Sequence, residues 1–425
     1  MLDLKYITQH VEEIRVHLDH LGEPGAPLDR ILELDVQRRT VVKEADELRS
    51  ERKSVSKRIG RMEDGPERQG LMDSMRCVSE RVDELETRSR QIEQALRDAM
   101  LRMPNMPDPD VPVGGGEEEN VLVRTVGNRP SFSYEPLPHW DVGERLGIID
   151  FERGVKLAGS RFYVLMGQGA RLQRALISWM IDLHVNEHGY KEVYPPFMVR
   201  GECMVGTGQL PKFGDNLYRD AEEDYYWIPT AEVPVTNMYA NEILDEKDLP
   251  IYHTAYTACF RREKMSAGKD VRGMKRGHQF DKVEMVKFVN PQTSNEELLS
   301  LLNDAEDVCE GLEIPYRIVQ MCTGDLSFTA CKKFDVEVWA PGCQEWLEVS
   351  SCSNFRDFQA RRANIRFRPT QGGKPEFVHT LNGSGLALPR VMIALIEHNQ
   401  NEDGSVTVPS VLRPYMGGLE SITRV

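Results

Sequence analysis

Ile31, Leu34, Arg38, Val41, Ala45, Leu48, Arg52, Val55, Ile59 and Met62 follow one another in steps of three and four, and eight of these ten are apolar. A second run, Leu71, Met75, Val78, Val82, Leu85, Ser89, Ile92, Leu96, Ala99 and Met103, is apolar everywhere except at Ser89. Charged residues occupy most other positions, which is the pattern of a coiled-coil seam. Gly65-Pro66 breaks the helix between the runs. The spacing therefore predicts an antiparallel helical hairpin, with arms of about 50 Å at the α-helical rise. Ahead of it, Ile7, Val11, Ile14, Leu18 and Leu21 predict one short amphipathic helix.

Residues 104–120 hold four prolines and three glycines. That composition predicts an exposed linker and a domain boundary. Beyond it the pattern becomes mixed. Leu172, Leu176, Trp179 and Leu183 predict a helix stopping at Gly189, followed by a strand over 192–197. Residues 334–340 alternate with period two, turn at Pro341-Gly342 and return over 345–351, while 296–312 and 385–398 read as helices. The expected fold class is α+β, a helical hairpin plus an antiparallel sheet flanked by helices. Its expected divisions are an arm (1–103), a linker (104–120), a core (121–417) and a tail (418–425).

Composition narrows the function classes. At 425 residues, 40% hydrophobic and 28% charged, the chain is globular and long enough for two or three domains. Its longest apolar run (391–396) is far short of the roughly 20 residues a membrane helix needs. The N-terminus lacks the cationic start and apolar core of a secretory signal. Eight cysteines without a C-x-x-C pair suggest neither a disulfide framework nor a zinc ribbon, so a reducing cytoplasm is expected. A net charge of −15 argues against nucleic-acid binding by bulk positive charge. A local exception stands near the hairpin tip. Arg49, Arg52, Lys53, Lys57, Arg58 and Arg61 face a single acid, Glu51, in an arm that is neutral overall. The alternatives there are a solvated charge run and a phosphate-binding stripe that grips a long RNA helix by its backbone.

Chemistry concentrates in residues 257–288, which read as strand, glycine-rich basic loop, strand. Alternation places Arg261 with Glu263 on one face, and Phe280 with Glu284 on another. A guanidinium fork suits a phosphate, and an aromatic plane beside a carboxylate suits a base or a hydroxyl. A surface hairpin with cross-strand ion pairs is the plainer alternative. His184 and His188, four apart, sit at a helix end that also favours histidine without any metal.

Phe260-Arg261-Arg262-Glu263 followed by a loop and a second strand resembles motif 2 of class II aminoacyl-tRNA synthetases. Residues 172–195 resemble motif 1, usually a dimer interface in that class, and 380–390 resemble motif 3. The N-terminal hairpin narrows the resemblance to bacterial-type seryl-tRNA synthetases. Further blocks agree: 206–213, 229–232, 278–284 and 348–351. The resemblance implies ATP-dependent attachment of L-serine to tRNA(Ser), with tRNA(Sec) as a further acceptor, through a seryl-adenylate, in a homodimer.

It further implies that Thr230, Ala231 and Glu232 hold serine, with Glu232 paired to its ammonium. Glu284 would accept the serine hydroxyl, with Asn382 and Ser384 closing the pocket. Arg261 would grip the α-phosphate and the serine carboxylate. Arg262, Glu263, Phe280, Val349 and Ser350 would join the ATP site, Glu263 at the adenine and Phe280 stacked on it. Arg390 would hold the γ-phosphate, and Glu348 with Ser351 would coordinate Mg²⁺. Strict alternation pairs Glu348 with Ser350, so Ser351 reaches the same face only through a bulge or a strand end. The arm's basic run would bind tRNA. An amino-acid:carrier-protein ligase would lack the long arm, and a non-catalytic tRNA-binding or scaffold relative should have lost one of Arg261, Glu284, Glu348 or Arg390.

Overall fold

The computed structural model describes residues 1–264 and 272–424, so part of the glycine-rich basic loop expected between Arg261 and Phe280 lies outside the described residues. The chain divides into two compact units, one of residues 2–15 and 23–104, the other of the remainder.

Two helices stand at the N-terminus where the spacing predicted one: α1 (Leu4–Gln9) and α2 (Val11–His20), separated by a non-helical His10. Asp3 accepts from the amides of Lys5 and Tyr6 and so caps α1. The hairpin follows as α3 (Leu28–Ile59) and α4 (Pro66–Met100), and Pro66 sits in the first turn of α4, where its missing N–H costs nothing. Ile31, Leu34, Val41 and Ala45 are buried against Met75, Val82, Leu85, Ile92 and Leu96. Nearer the tip Leu48, Val55 and Ile59 are only half-buried, because a two-helix seam covers each side chain from one direction. Arg81 meets Glu44 at 2.8 Å and Arg49 meets Glu86 at 2.7 Å across the pair.

The first part of the expected linker, residues 105–112, packs against the second unit's own segments, whereas much of 113–119 is exposed. The Asn105 amide donates to the Phe328 carbonyl (2.9 Å), its side chain donates to Thr329 and Phe355 carbonyls, and the Asp108 amide donates to Cys331 (2.8 Å). Asn105, Met106, Asp108 and Val111 are buried. Proline and glycine preclude regular structure, but they do not preclude packing once other segments satisfy the backbone.

The second unit is built on an eight-stranded sheet. In chain order its strands are β1 (Val121–Val126), β2 (Lys191–Glu192), β3 (Ile251–Phe260), β4 (Gln279–Val289), β5 (Tyr316–Gln320), β6 (Lys332–Ala340), β7 (Glu345–Asn354) and β8 (His379–Ala387). The spatial order is β1-β5-β6-β7-β8-β4-β3-β2, antiparallel except where β2 runs parallel to β3. Of the expected 192–197 segment only Glu192 joins the strand, together with Lys191 before it, since Pro195 and Pro196 lack ladder donors. Helices α5 (His139–Leu146), α6 (Gly167–Asn186), α7 (Glu232–Asn237), α8 (Ser294–Gly311) and α9 (Leu388–His398) accompany the sheet. α9 is apolar almost all round, as a core helix should be, and each buried Leu or Ile contributes on the order of 2 kcal/mol.

One expected boundary changes here. The last helix starts at Leu388 and not at residue 385, because β8 continues to Ala387. Gly385 marks a close approach: a Cβ there would lie 2.3 Å from His184 Nε2. Leu172, Leu176, Trp179, Met180 and Ile181 of α6 are buried in the chain's own core. The segment expected as a tail carries a strand pair. Strand β9 (Val406–Thr407) pairs with β10 (Ser421–Ile422), and Ile422 is fully buried. The described helices include none long and apolar enough to cross a membrane.

Candidate active site

Strand alternation builds the floor of the site. Phe280, Lys282 and Glu284 lie two apart on β4, and Ser384 pairs directly with Glu284 across to β8, on the face shared by Asn382. Lys282 fell between two residues already singled out on that face, so alternation alone could have found it.

β7 supplies Glu348 and Ser351 by the irregularity that alternation demanded. Its register against β6 shifts, with Ser350 opposite Val336 but Glu348 opposite Glu337, so Val349 is the extra residue of a bulge. Residues paired across an antiparallel ladder share a face, and Asp335 and Glu337 are two apart. Their partners Ser351 and Glu348 therefore share that face. Ser350 turns away and donates to the Ser384 carbonyl at 2.7 Å.

Arg261 and Glu263 do not alternate in a strand, because β3 ends at Phe260 and Glu263 has a φ of +50°. Both still line the same cavity, of about 370 Å³, with Thr230, Glu232, Phe280, Lys282, Glu348, Val349, Ser351, Asn382, Ser384 and Arg390. Arg261 donates through Nε to the Pro229 carbonyl (3.2 Å), and its guanidinium lies 5.0 Å from the Phe280 ring centroid. Arg390 meets Glu348 Oε2 at 3.3 Å and donates to the Glu348 carbonyl at 2.7 Å. Ala231 is buried in a separate apolar cluster and Arg262 is exposed; neither is among the cavity's lining residues. Gln209, Lys275, Arg276, Thr329, Lys333 and Ser353 also line it. Gln209 falls in the block 206–213 and Lys275 with Arg276 in the basic loop, but no pattern singled them out; Thr329, Lys333 and Ser353 come from further separate segments.

Glu284 is completely buried. It accepts from Thr230 Oγ1 and from Asn382 Nδ2, both at 2.8 Å, and pairs with Lys282, which donates to Thr230 at 2.9 Å. Glu232 accepts from Asn382 Nδ2 (3.2 Å) and from Gln359 Nε2. Burial, reinforced by the neighbouring Glu284 carboxylate, pushes the Glu232 carboxyl up to about 7. Glu348 stays below its ordinary range: burial pushes it up, but the charges of Arg390, Lys333 and Arg261 outweigh that.

Among the described residues, six cations and three carboxylates line this cavity of a chain whose net charge is −15. Such a site attracts a polyanion. Glu284 and Glu232 offer hydrogen-bond acceptors and negative charge to a hydroxyl and an ammonium. His184 and His188 are engaged elsewhere, with each other at 2.9 Å, with the Gly385 carbonyl and with Asp307.

Two family models match the chain: the seryl-tRNA synthetase N-terminal domain over residues 1–107, and the class II tRNA synthetase core domain (G, H, P, S and T) over 215–399. A serine–tRNA ligase of Thermomicrobium roseum is 62% identical over 424 residues, covering 100% of this chain and 95% of that protein. One from Dehalococcoides mccartyi is 56% identical over 417 residues, 98% and 99% of the two chains. The crystal structure of seryl-tRNA synthetase from Pyrococcus horikoshii complexed with ATP superposes with a TM-score of 0.95 at 40% identity, covering both chains completely. With the hairpin, the bulged strand and the paired carboxylates all accounted for, the chain belongs to the seryl-tRNA synthetase family.

Proposed function

We propose that this cavity joins L-serine to ATP before serine passes to tRNA(Ser), and that tRNA(Sec) is a second acceptor. The observation that carries the reading is one cavity in which Glu232, joined through Asn382 to the buried Glu284 behind the lining, stands among a majority of cations. The carboxylates suit an amino acid's ammonium and hydroxyl; the cations suit a triphosphate.

Formation of the adenylate is an attack by the serine carboxylate on the α-phosphorus with departure of pyrophosphate. The nucleophile is already anionic, so no general base is needed, and the protein contributes position and charge. Arg261 holds the α-phosphate and the serine carboxylate, and Arg390 holds the γ-phosphate. Phe280 and Glu263 receive the adenine. Glu232 binds the ammonium and Glu284 the hydroxyl, while Thr230, Asn382 and Ser384 fix those carboxylates and the pocket wall. Glu348 and Ser351 fit Mg²⁺, since the bulge aims an ionised carboxylate and a hydroxyl, both hard oxygen donors, at one face. When bound there, Mg²⁺ supplies neutralisation of phosphate charge.

ATP–pyrophosphate exchange with each of the twenty amino acids tests this reading. Exchange with serine alone is expected, and silence with all twenty would overturn it.

The raised Glu232 carboxyl gives a pH dependence with a definite sign. Below pH 7 the group is protonated in the empty site and offers no charge to the ammonium. The KM for serine therefore falls about tenfold between pH 6 and pH 8 and flattens above. Glu232→Gln should raise KM and remove the slope; a slope unchanged in that variant would assign it to another group.

We also propose a cytoplasmic homodimer. All eight cysteines are free, which suits a reducing compartment. Support for the dimer comes from β1 at the sheet's edge, where Val121, Leu122 and Val123 are 43–55% exposed, an apolar edge that a second copy would cover. Sedimentation should report about twice 48.5 kDa. A fully active monomer at all concentrations would overturn this.

A further inference from the structure

One buried polar cluster is left unused by the chemistry above: His139, Cys343 and Glu397, whose potential ligand atoms lie within 4.8 Å of one another. The donor set could suit a thiophilic divalent cation. The hydrogen bonds already present point to a different role, because they occupy the lone pairs a metal would need.

Glu397, in the last turn of α9, is inaccessible to solvent. Its Oε1 accepts from the backbone amide of His139 and from His139 Nδ1, each at 2.9 Å, and from the Cys343 thiol at 3.0 Å. Its Oε2 accepts from the amides of Gly342 (2.9 Å) and Cys343 (3.0 Å), in the turn between β6 and β7. One carboxylate thus ties together the start of α5, the end of α9 and the turn leading into the strand of Glu348. Burial pushes its carboxyl up, but the hydrogen bonds from His139 and Cys343 outweigh that and hold it below its ordinary range.

The other nitrogen of His139 reaches toward the cavity's rim. Nε2 accepts from the backbone amide of Met274 at 3.1 Å. An amide can only donate, so Nε2 carries no proton and Nδ1–H donates to Glu397; the network sets the tautomer. Met274 is buried, and the next two residues, Lys275 and Arg276, line the cavity. Lys275 pairs with Glu345, and Arg276 lies 3.7 Å from Glu263. Gly273 has a φ of +75°, and a Cβ there would fall 2.2 Å from His139 Nε2. The backbone therefore approaches the imidazole more closely than any other residue type allows.

We propose that His139, held by Glu397, is a positioning residue: it fastens the backbone at Met274 and thereby sets where Lys275 and Arg276 meet the phosphates of ATP. This rests on the reading of the cavity as the ATP site. His139 touches no substrate and acts only through the segment it holds.

Two substitutions separate its nitrogens. His139→Asn keeps an N–H near the position of Nδ1 and loses the acceptor for Met274, whereas His139→Gln places an amide oxygen near the position of Nε2. Amide hydrogen exchange over residues 272–277 of the full-length protein should quicken about tenfold in His139→Asn and stay near the parent rate in His139→Gln. The KM for ATP in pyrophosphate exchange should rise about tenfold in the Asn variant alone, with the KM for serine unchanged at saturating ATP. Equal losses of thermal stability in both variants, with the ATP KM unmoved, would make the cluster a structural support and overturn the proposal. Loosened amides with an unmoved ATP KM would overturn its link to ATP. If the parent protein bound no ATP, the cavity reading would fail, while the amide rates would still decide whether His139 fastens Met274. Should His139→Asn not fold, Glu397→Gln, which weakens the hold on His139, gives the same amide readout.

Discussion

Glu284→Ala should lower kcat/KM for serine in pyrophosphate exchange by about two to three orders of magnitude while leaving ATP affinity within about twofold, because breaking a buried charge pair costs roughly 3–5 kcal/mol. The substitution removes the acceptor of Thr230 and Asn382 and strands the Lys282 ammonium in a buried place. It also removes the means of telling serine from alanine. In the parent site alanine leaves the carboxylate without the substrate hydroxyl; in the variant nothing is left unpaired by that loss, so the preference for serine should shrink. Glu284→Gln keeps an acceptor of the same shape and should fall between the two. Calorimetry for ATP and exchange kinetics over serine concentration measure the pair of quantities. Normal serine dependence with weakened ATP binding would reverse the assignment of the pocket.

Reversing Lys53, Lys57 and Arg61 together to Glu should depress tRNA charging on the order of a hundredfold or more, with serine-dependent pyrophosphate exchange intact. The structure sorts the six basic residues of the arm. Arg49 is tied to Asp46 and Glu86, and Arg58 to Glu67. Arg52 is half-buried at the seam. Lys53, Lys57 and Arg61 are exposed and make no ion pair among the described residues. Lys53 and Lys57, four apart, share one face of α3, and Arg61 follows in the turn beyond its end, so the three can meet successive phosphates. Exposed reversals seldom disturb folding by more than about 0.5 kcal/mol, so a loss of charging would report binding. The salt dependence of tRNA binding should flatten by about one unit of slope per lost phosphate contact. Normal charging by the triple variant would leave the hairpin a strut.

Periodic features were the legible ones. The hairpin repeats every seven residues and β6–β7 every two, and each announces itself within a short window. The bulge at Val349 was legible as a contradiction, since Glu348 and Ser351 could not share a face without it. What stayed hidden depends on contacts between distant segments. The proline-rich stretch reads as exposed by composition, yet Phe328, Cys331 and Phe355 supply its backbone partners more than 200 residues away. Lys282 needs Thr230, 52 residues upstream, and Glu397 needs His139, 258 residues upstream. Neither separation has a period. The apolar face of α6 depends on distant segments too: Leu172, Leu176 and Trp179 are covered by the chain's own sheet and helices.

The bulge also decides which kinds of mutation this strand can absorb. Between Val336 and Glu337 the two strands fall out of phase by one residue, and that offset is a matter of chain length, not of side-chain identity. Exchanging Val349 for another small apolar residue preserves the count. Deleting it would bring the ladder back into step and leave Glu348 and Ser351 two residues apart, on one face by plain alternation. Drift along β7 is therefore limited by the shared face of Glu348 and Ser351: loss of the extra residue keeps that face, whereas the same three-residue spacing without a bulge would split it.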